Sequence, residues 1–328
     1  MRRISTDFSK FLLSAASVML ISAAAVQTHD PKAWGANHVG KPIPEYVQSD
    51  ECLFCHRNDI GPTWQKSSHL LSVQERESAP GLISQLKGGA ADAEYFMGSR
   101  RRLRFLKKEG YGKFALLNTQ AVLMSIQEYG QKNDLKIEKW LELEQPIWDK
   151  DKYANSCAGC HSTAVDPATR TFTTVSVDCY SCHGDVNLEH TGNTALVLLS
   201  KKRRNDVRVI TSLCAQCHLR AGRAESTGLP YPNNFIAGDN LFQDFTPDFK
   251  KAEDLNPGDR HIWRNVRDVA INGDESISCL SCHQIHTSSG SSFKHRRVLR
   301  APICSECHQG SGFKELKRYE VHSRLCEY

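Results

Sequence analysis

Cys157-Ala158-Gly159-Cys160-His161, then Cys179-Tyr180-Ser181-Cys182-His183-Gly184, then His190: this stretch decides how the chain is read. It holds two copies of the five-residue unit C-x-x-C-H. The unit recurs as Cys52–His56, Cys214–His218, Cys279–His283 and Cys304–His308, six in all. C-x-x-C-H is the attachment site of c-type haem. Two thiols add across the two vinyl groups of one porphyrin, so their spacing is fixed, and the adjacent His reaches the iron as its proximal ligand. At this Cys and His content chance would supply about 0.02 copies, so six are not accidental. C-x-x-C pairs also build zinc ribbons, but a ribbon does not need His directly after every second Cys.

Cysteine arithmetic agrees. Of 13 cysteines, twelve lie in the units: Cys52, Cys55, Cys157, Cys160, Cys179, Cys182, Cys214, Cys217, Cys279, Cys282, Cys304 and Cys307. Only Cys326 is left, so there is no disulfide framework to build. The covalent cofactor set expected is six haems c, with proximal ligands His56, His161, His183, His218, His283 and His308.

Porphyrins in that number replace a conventional aliphatic core. The fold expected is mainly α, a haem-cored chain with long irregular loops and a small β-hairpin insertion. Tyr95–Asn118, with alternating basic and apolar residues around Gly110 and Gly112, reads as that hairpin; Ala121–Trp140 reads as helix or strand. Asn256-Pro257-Gly258-Asp259 reads as a helix start, with Ile262, Val266 and Val269 as its apolar face.

Met1-Arg2-Arg3 and the apolar run Phe11–Val26, with Ala23-Ala24-Ala25 as an exit site, read as a secretory leader. The layout expected is therefore a leader over 1–25, a single-haem segment over 26–70, a haem-free insertion over 71–150 and a five-haem region over 151–328. That places the protein in the periplasm or outside the cell, on a membrane only where the leader is retained.

The formal net charge is +5. Removing Arg2, Arg3, Lys10 and Asp7 leaves about +3, and six ferric bis-His haems at about −1 each reverse the sign. The basic balance is thus no argument for nucleic acid.

The stretch from Cys52 through Trp64 to His69, the Cys182-His183-Gly184…His190 segment and the closing Cys279…His286…Cys304–His308 unit resemble the superfamily of multihaem cytochromes related to cytochrome c-554. The resemblance implies that His69, His190 and His286 are distal iron ligands. Ile285 departs from the Pro that usually precedes the last of these. By position alone His322 and His295 join them, and His38 competes with His261 for a sixth place. After the leader only Met97 and Met124 remain, too few to serve as alternative ligands.

Bis-His ligation closes both axial positions, and a closed haem passes electrons without binding substrate. The function expected is electron transfer along a chain of haems between respiratory partners or to an extracellular acceptor. The partners expected are a quinol oxidase, other cytochromes, an outer-membrane conduit or a terminal reductase. A homo-oligomer or filament, with Cys326 as a cross-link, is a variant of that reading. The alternative is a multihaem oxidoreductase with one five-coordinate haem acting on a small nitrogen or sulfur species.

Overall fold

The structure, a computed structural model, describes residues 30–98, 102–124, 135–141, 145–184, 186, 190–200, 206–249, 255, 257–273, 278–283 and 285–286. The leader, the sixth unit (Cys304, Cys307, His308), His295, His322 and Cys326 lie outside them, as do the side chains of His261 and Cys282.

Each described C-x-x-C-H unit is helical. Ser49–His56 (α1), Ala158–His161 (α2), Cys179–His183 (α3), Val207–His218 (α4) and Cys279–Cys282 (α6) carry units one to five; Pro257–Asn272 (α5) carries none. The local reason is geometric: residues three apart share a helix face, so one helical turn presents both thiols the same way. The caps come from the sequence. Asp178 accepts a hydrogen bond from Tyr180 N at the start of α3, and Asp206 accepts one from Arg208 N at the start of α4. In α5 the buried stripe is Trp263, Val266, Val269 and Ala270, which packs on α4. Ile262, expected in that stripe, is only partly buried. Among the described residues no helix is long and apolar enough to cross a membrane.

The expected mainly α fold is wrong. Helix makes up 36% of the structure and strand 22%, which makes the fold mixed. The hairpin Arg102–Gly110 to Lys113–Leu123 exists, but it is the middle of a larger antiparallel sheet. With Val73–Glu75 as β1, Tyr95–Met97 as β2, the hairpin as β3 and β4, and Ile137–Leu141 as β5, the strands run β1-β2-β3-β4-β5 in a curled half-barrel. Trp148–Asp149 (β6) pairs with β4 as well. The register sets Leu103 against Ala121 and Tyr95 against Leu106. Strands of two to five residues are too short to show an alternation of their own, which is why the sequence displayed only the long pair. Two smaller hairpins follow: Ser162–Val165 (β7) with Phe172–Val175 (β8), and Gly222–Ala224 (β9) with Phe245–Pro247 (β10).

The large sheet is apolar on both faces. Phe96, Leu103, Phe105, Leu117 and Ala121 fill one side, with Trp140 stacked on Phe105 at 5.4 Å. On the other, Tyr95, Leu106, Phe114 and Leu116 meet Tyr153, Ala158 and Phe172. Phe114 lies 5.2 Å from the Tyr153 ring and 4.9 Å from that of Phe172. Tyr153 then donates to the His161 carbonyl at 3.0 Å and pairs with Ser162 Oγ at 2.7 Å. The insertion is thus a buttress for the second unit. The turn of its long hairpin requires glycine: Gly112 has φ +62, and a Cβ there would stand 2.4 Å from the Phe172 carbonyl oxygen.

Candidate haem-binding centre

The helical units converge. Cys52 of α1 and Cys179 of α3 lie close enough to perturb each other, as do Cys160 of α2 and Cys217 of α4, and Cys214 of α4 and Cys279 of α6. Cys160 Sγ also donates to the Gln216 carbonyl at 3.8 Å and Cys217 Sγ to the Gly159 carbonyl at 3.9 Å. Cys182 of α3 lies within the field of both α4 thiols. The fourth unit is therefore the hub: units two and five touch it directly, and unit one reaches it through unit three. Contact with Cys52, then burial, holds the Cys179 thiol well above its ordinary value. Burial pushes the Cys182 thiol up to about 11, with Asp178 adding to it. Cys157 also rises to about 11 through burial, while Arg104 opposes the rise.

The histidines carry the clearest geometry. Three proximal rings each face a second histidine from a different unit. His190, which follows unit three, lies 6.0 Å from His56 of unit one, the planes 7° apart. His286, which follows unit five, lies 6.0 Å from His183 of unit three at 36°. His69, which follows unit one, lies 6.4 Å from His218 of unit four at 77°. A metal–imidazole bond of about 2 Å on each side, plus about 1.2 Å from each nitrogen to its ring centre, gives about 6.4 Å between centroids of two axial ligands. The spacing fits one iron between each pair.

Orientation is fixed from behind. His183 Nδ1 lies 2.7 Å from the Leu198 carbonyl oxygen, which requires the proton on Nδ1 and leaves Nε2 as the free lone pair. His56 Nδ1 sits 3.2 Å from Asp59 Oδ2, an arrangement that serves the same purpose. Trp64 packs edge-on against His286 at 6.1 Å. His161 is held neutral, the form that binds metal: burial, then the nearby Arg220 cation, lowers it to about 4.

A small cleft of about 60 Å³ opens between units two, three and four, lined by Gly159, Ser162, Tyr180, Ser181, Cys217 and Asn233. Asn233 Nδ2, Trp64 Nε1 and His161 Nδ1 are buried without hydrogen-bond partners. Orphan donors around paired thiols and facing imidazoles suit a cofactor with polar edges. Among the described residues no group of three or more His, Cys, Asp or Glu converges as a zinc ion would need.

The structure thus brings together six of the residues expected at the irons: His56 with His190, His183 with His286, His218 with His69. It sets His38 elsewhere, its Nδ1 2.7 Å from Asp239 Oδ2. Sequence reading missed Asp59, Asp239 and the Leu198 carbonyl. Only Asp59 left a trace, as an acid one helical turn after a proximal His.

The chain is similar to known proteins over parts of its length. The family model described as cytochrome c554 and c-prime matches residues 119–184, which span units two and three. A cytochrome c-552 of Bacteroides thetaiotaomicron is 22% identical over 171 residues, covering 45% of this chain and 34% of the relative. The undecaheme cytochrome from the S-layer of Carboxydothermus ferrireducens aligns over 94% of this chain and 47% of its own, at 18% identity and a TM-score of 0.42. The chain spans about a third of the first relative's length and about half of the second's.

Proposed function

We propose that this chain, a multihaem c-type cytochrome, carries six haems c and works as an exported electron conduit. The observation that carries the reading is the set of three facing histidine pairs. Cys52 and Cys55, Cys157 and Cys160, Cys179 and Cys182, Cys214 and Cys217, Cys279 and Cys282, and Cys304 and Cys307 would hold the porphyrins, with the six adjacent histidines as proximal ligands. Haem supplies one-electron chemistry when bound. His190, His286 and His69 close the sixth positions opposite His56, His183 and His218, so those sites exclude substrate and pass electrons only. His295 and His322, with either His261 or His38, would supply the three further distal ligands in this reading. The hub at α4 keeps the sites close enough for a continuous path.

The leader over 1–25 supports export to the periplasm or beyond. The partners that fit are other redox proteins: a quinol oxidase or cytochrome on one side, a reductase, an outer-membrane conduit or an extracellular acceptor on the other.

A second reading rests on His161. Among the described residues no second histidine ring faces it, and its Nδ1 is buried and unpartnered. An open position there would make the protein an oxidoreductase acting on a small nitrogen or sulfur species. Electron paramagnetic resonance of the oxidised protein, with carbon monoxide added to the reduced form, separates the two. Low-spin signals alone, unchanged by carbon monoxide, are expected of the conduit. One stoichiometric high-spin iron that binds carbon monoxide would replace it with the second reading.

A further inference from the structure

Asp178 is the most deeply buried carboxylate of the described core, 1% exposed. It directly precedes Cys179. Its partners all donate: Tyr46 Oη and Ser49 at the side chain, and Tyr180 N at 3.0 Å. The Tyr46 oxygen itself stands 2.9 Å from Thr174 Oγ1, which can donate to it and so leaves the Tyr46 proton to Asp178. Burial raises the Asp178 carboxyl above its ordinary value, and the ring of donors opposes that rise by favouring the anion. Its charge is felt at Cys52, Cys179 and Cys182, thiols of the first and third units. Glu51 adds to it at Cys52.

The second unit has the opposite surroundings. Arg104 and Lys152 act on Cys157, and Arg220 acts on Cys160 and His161. Arg104 and Arg220 reach the second unit from well outside its own segment of chain.

We propose that Asp178 lowers the reduction potentials of the haems on the first and third units, and that the cations around the second unit raise its potential. The proposal rests on the units being haem sites. A fixed negative charge favours the ferric state and a positive one the ferrous. Electrons then run from the first unit, through the third and the α4 hub, to the second. The first unit suits the point of arrival, since α1 buries none of its residues and Phe54 is 87% exposed.

The test is potentiometric titration of the full holoprotein, followed by visible spectra and electron paramagnetic resonance, with haem content counted first. Asp178→Asn keeps the helix cap and removes the charge. Through an effective dielectric constant of about 20, one charge at about 10 Å changes the ferrous-to-ferric ratio about tenfold. That corresponds to about 59 mV for a one-electron couple. The expected result is an upward shift of that size in two haems, with the others unmoved. No shift, or an equal shift in every haem, overturns the proposal.

Tyr46→Phe retains the charge and removes a donor, and should leave those potentials level or lower. A rise matching that of Asp178→Asn would mean that packing, not charge, sets the potentials, and would also overturn it. Should Asp178→Asn fail to take up haem, Arg104→Gln at the other pole is expected to lower one potential, and an unmoved potential there overturns the gradient. Lack of haem in the parent protein would instead sink the reading of the units.

Discussion

Replacing His190 by Ala is expected to leave the haem count unchanged and to turn one low-spin iron into a high-spin iron that binds carbon monoxide. His190 faces His56 at 6.0 Å with nearly parallel planes, and the His56 ring is held from behind by Asp59. In the proposed pairing, truncation would remove the sixth ligand and leave the fifth, and both thioether bonds, in place. The change is all-or-none at that iron, which makes it the largest spectroscopic effect available in this chain. His69→Ala and His286→Ala are expected to open one iron each, opposite His218 and His183. Combining two of the three should open two irons. A low-spin spectrum that survives His190→Ala would mean that another group ligates the iron held by His56, and the pairing would fail.

Gly159→Ala is expected to destabilise the protein by about 3 kcal/mol, the upper part of the range for overpacking a filled core. Gly159 lies between the two cysteines of the second unit. A Cβ there would stand 1.9 Å from Tyr231 Cδ2 and within 2.6 Å of two further ring carbons. The ring has nowhere to go: Tyr231 is 2% exposed and its hydroxyl donates to the Ala154 carbonyl. The falling stability should appear as a melting temperature lower by roughly 5 °C. A double-mutant cycle isolates the cause. In a Tyr231→Ala background Gly159→Ala should cost less than about 1 kcal/mol. An equal cost in both backgrounds would show that Tyr231 is not what forbids the side chain.

The C-x-x-C-H units were legible because the proposed haem attachment demands that spacing within five residues. His69, His190 and His286 could be picked out one by one, yet which histidine each would face could not. Each pairs with a proximal histidine from another unit, a relation that chain topology sets and local sequence does not carry. The sheet was half legible. The hairpin around Gly110 and Gly112 announced itself by alternation, while β1, β2, β5 and β6 are too short to do so and take their strand conformation from pairing. Asp178 was invisible in its role, since Tyr46 and Cys52 reach it from more than a hundred residues upstream.

The three thiol contacts between units have a consequence for biogenesis. Cys52 with Cys179, Cys160 with Cys217, and Cys214 with Cys279 each join two units that, as proposed haem sites, would receive separate porphyrins. Were the chain exported as proposed, it would fold where thiols are oxidised, and early compaction would bring together the wrong partners for sulfur chemistry. Haem ligation would then race against mispaired disulfides, and the chain would depend on a reductant until each thioether closed. Oxidising the haem-free chain should trap these three crosslinks, readable by peptide mapping; their absence would mean that the units meet only after the porphyrins are in place.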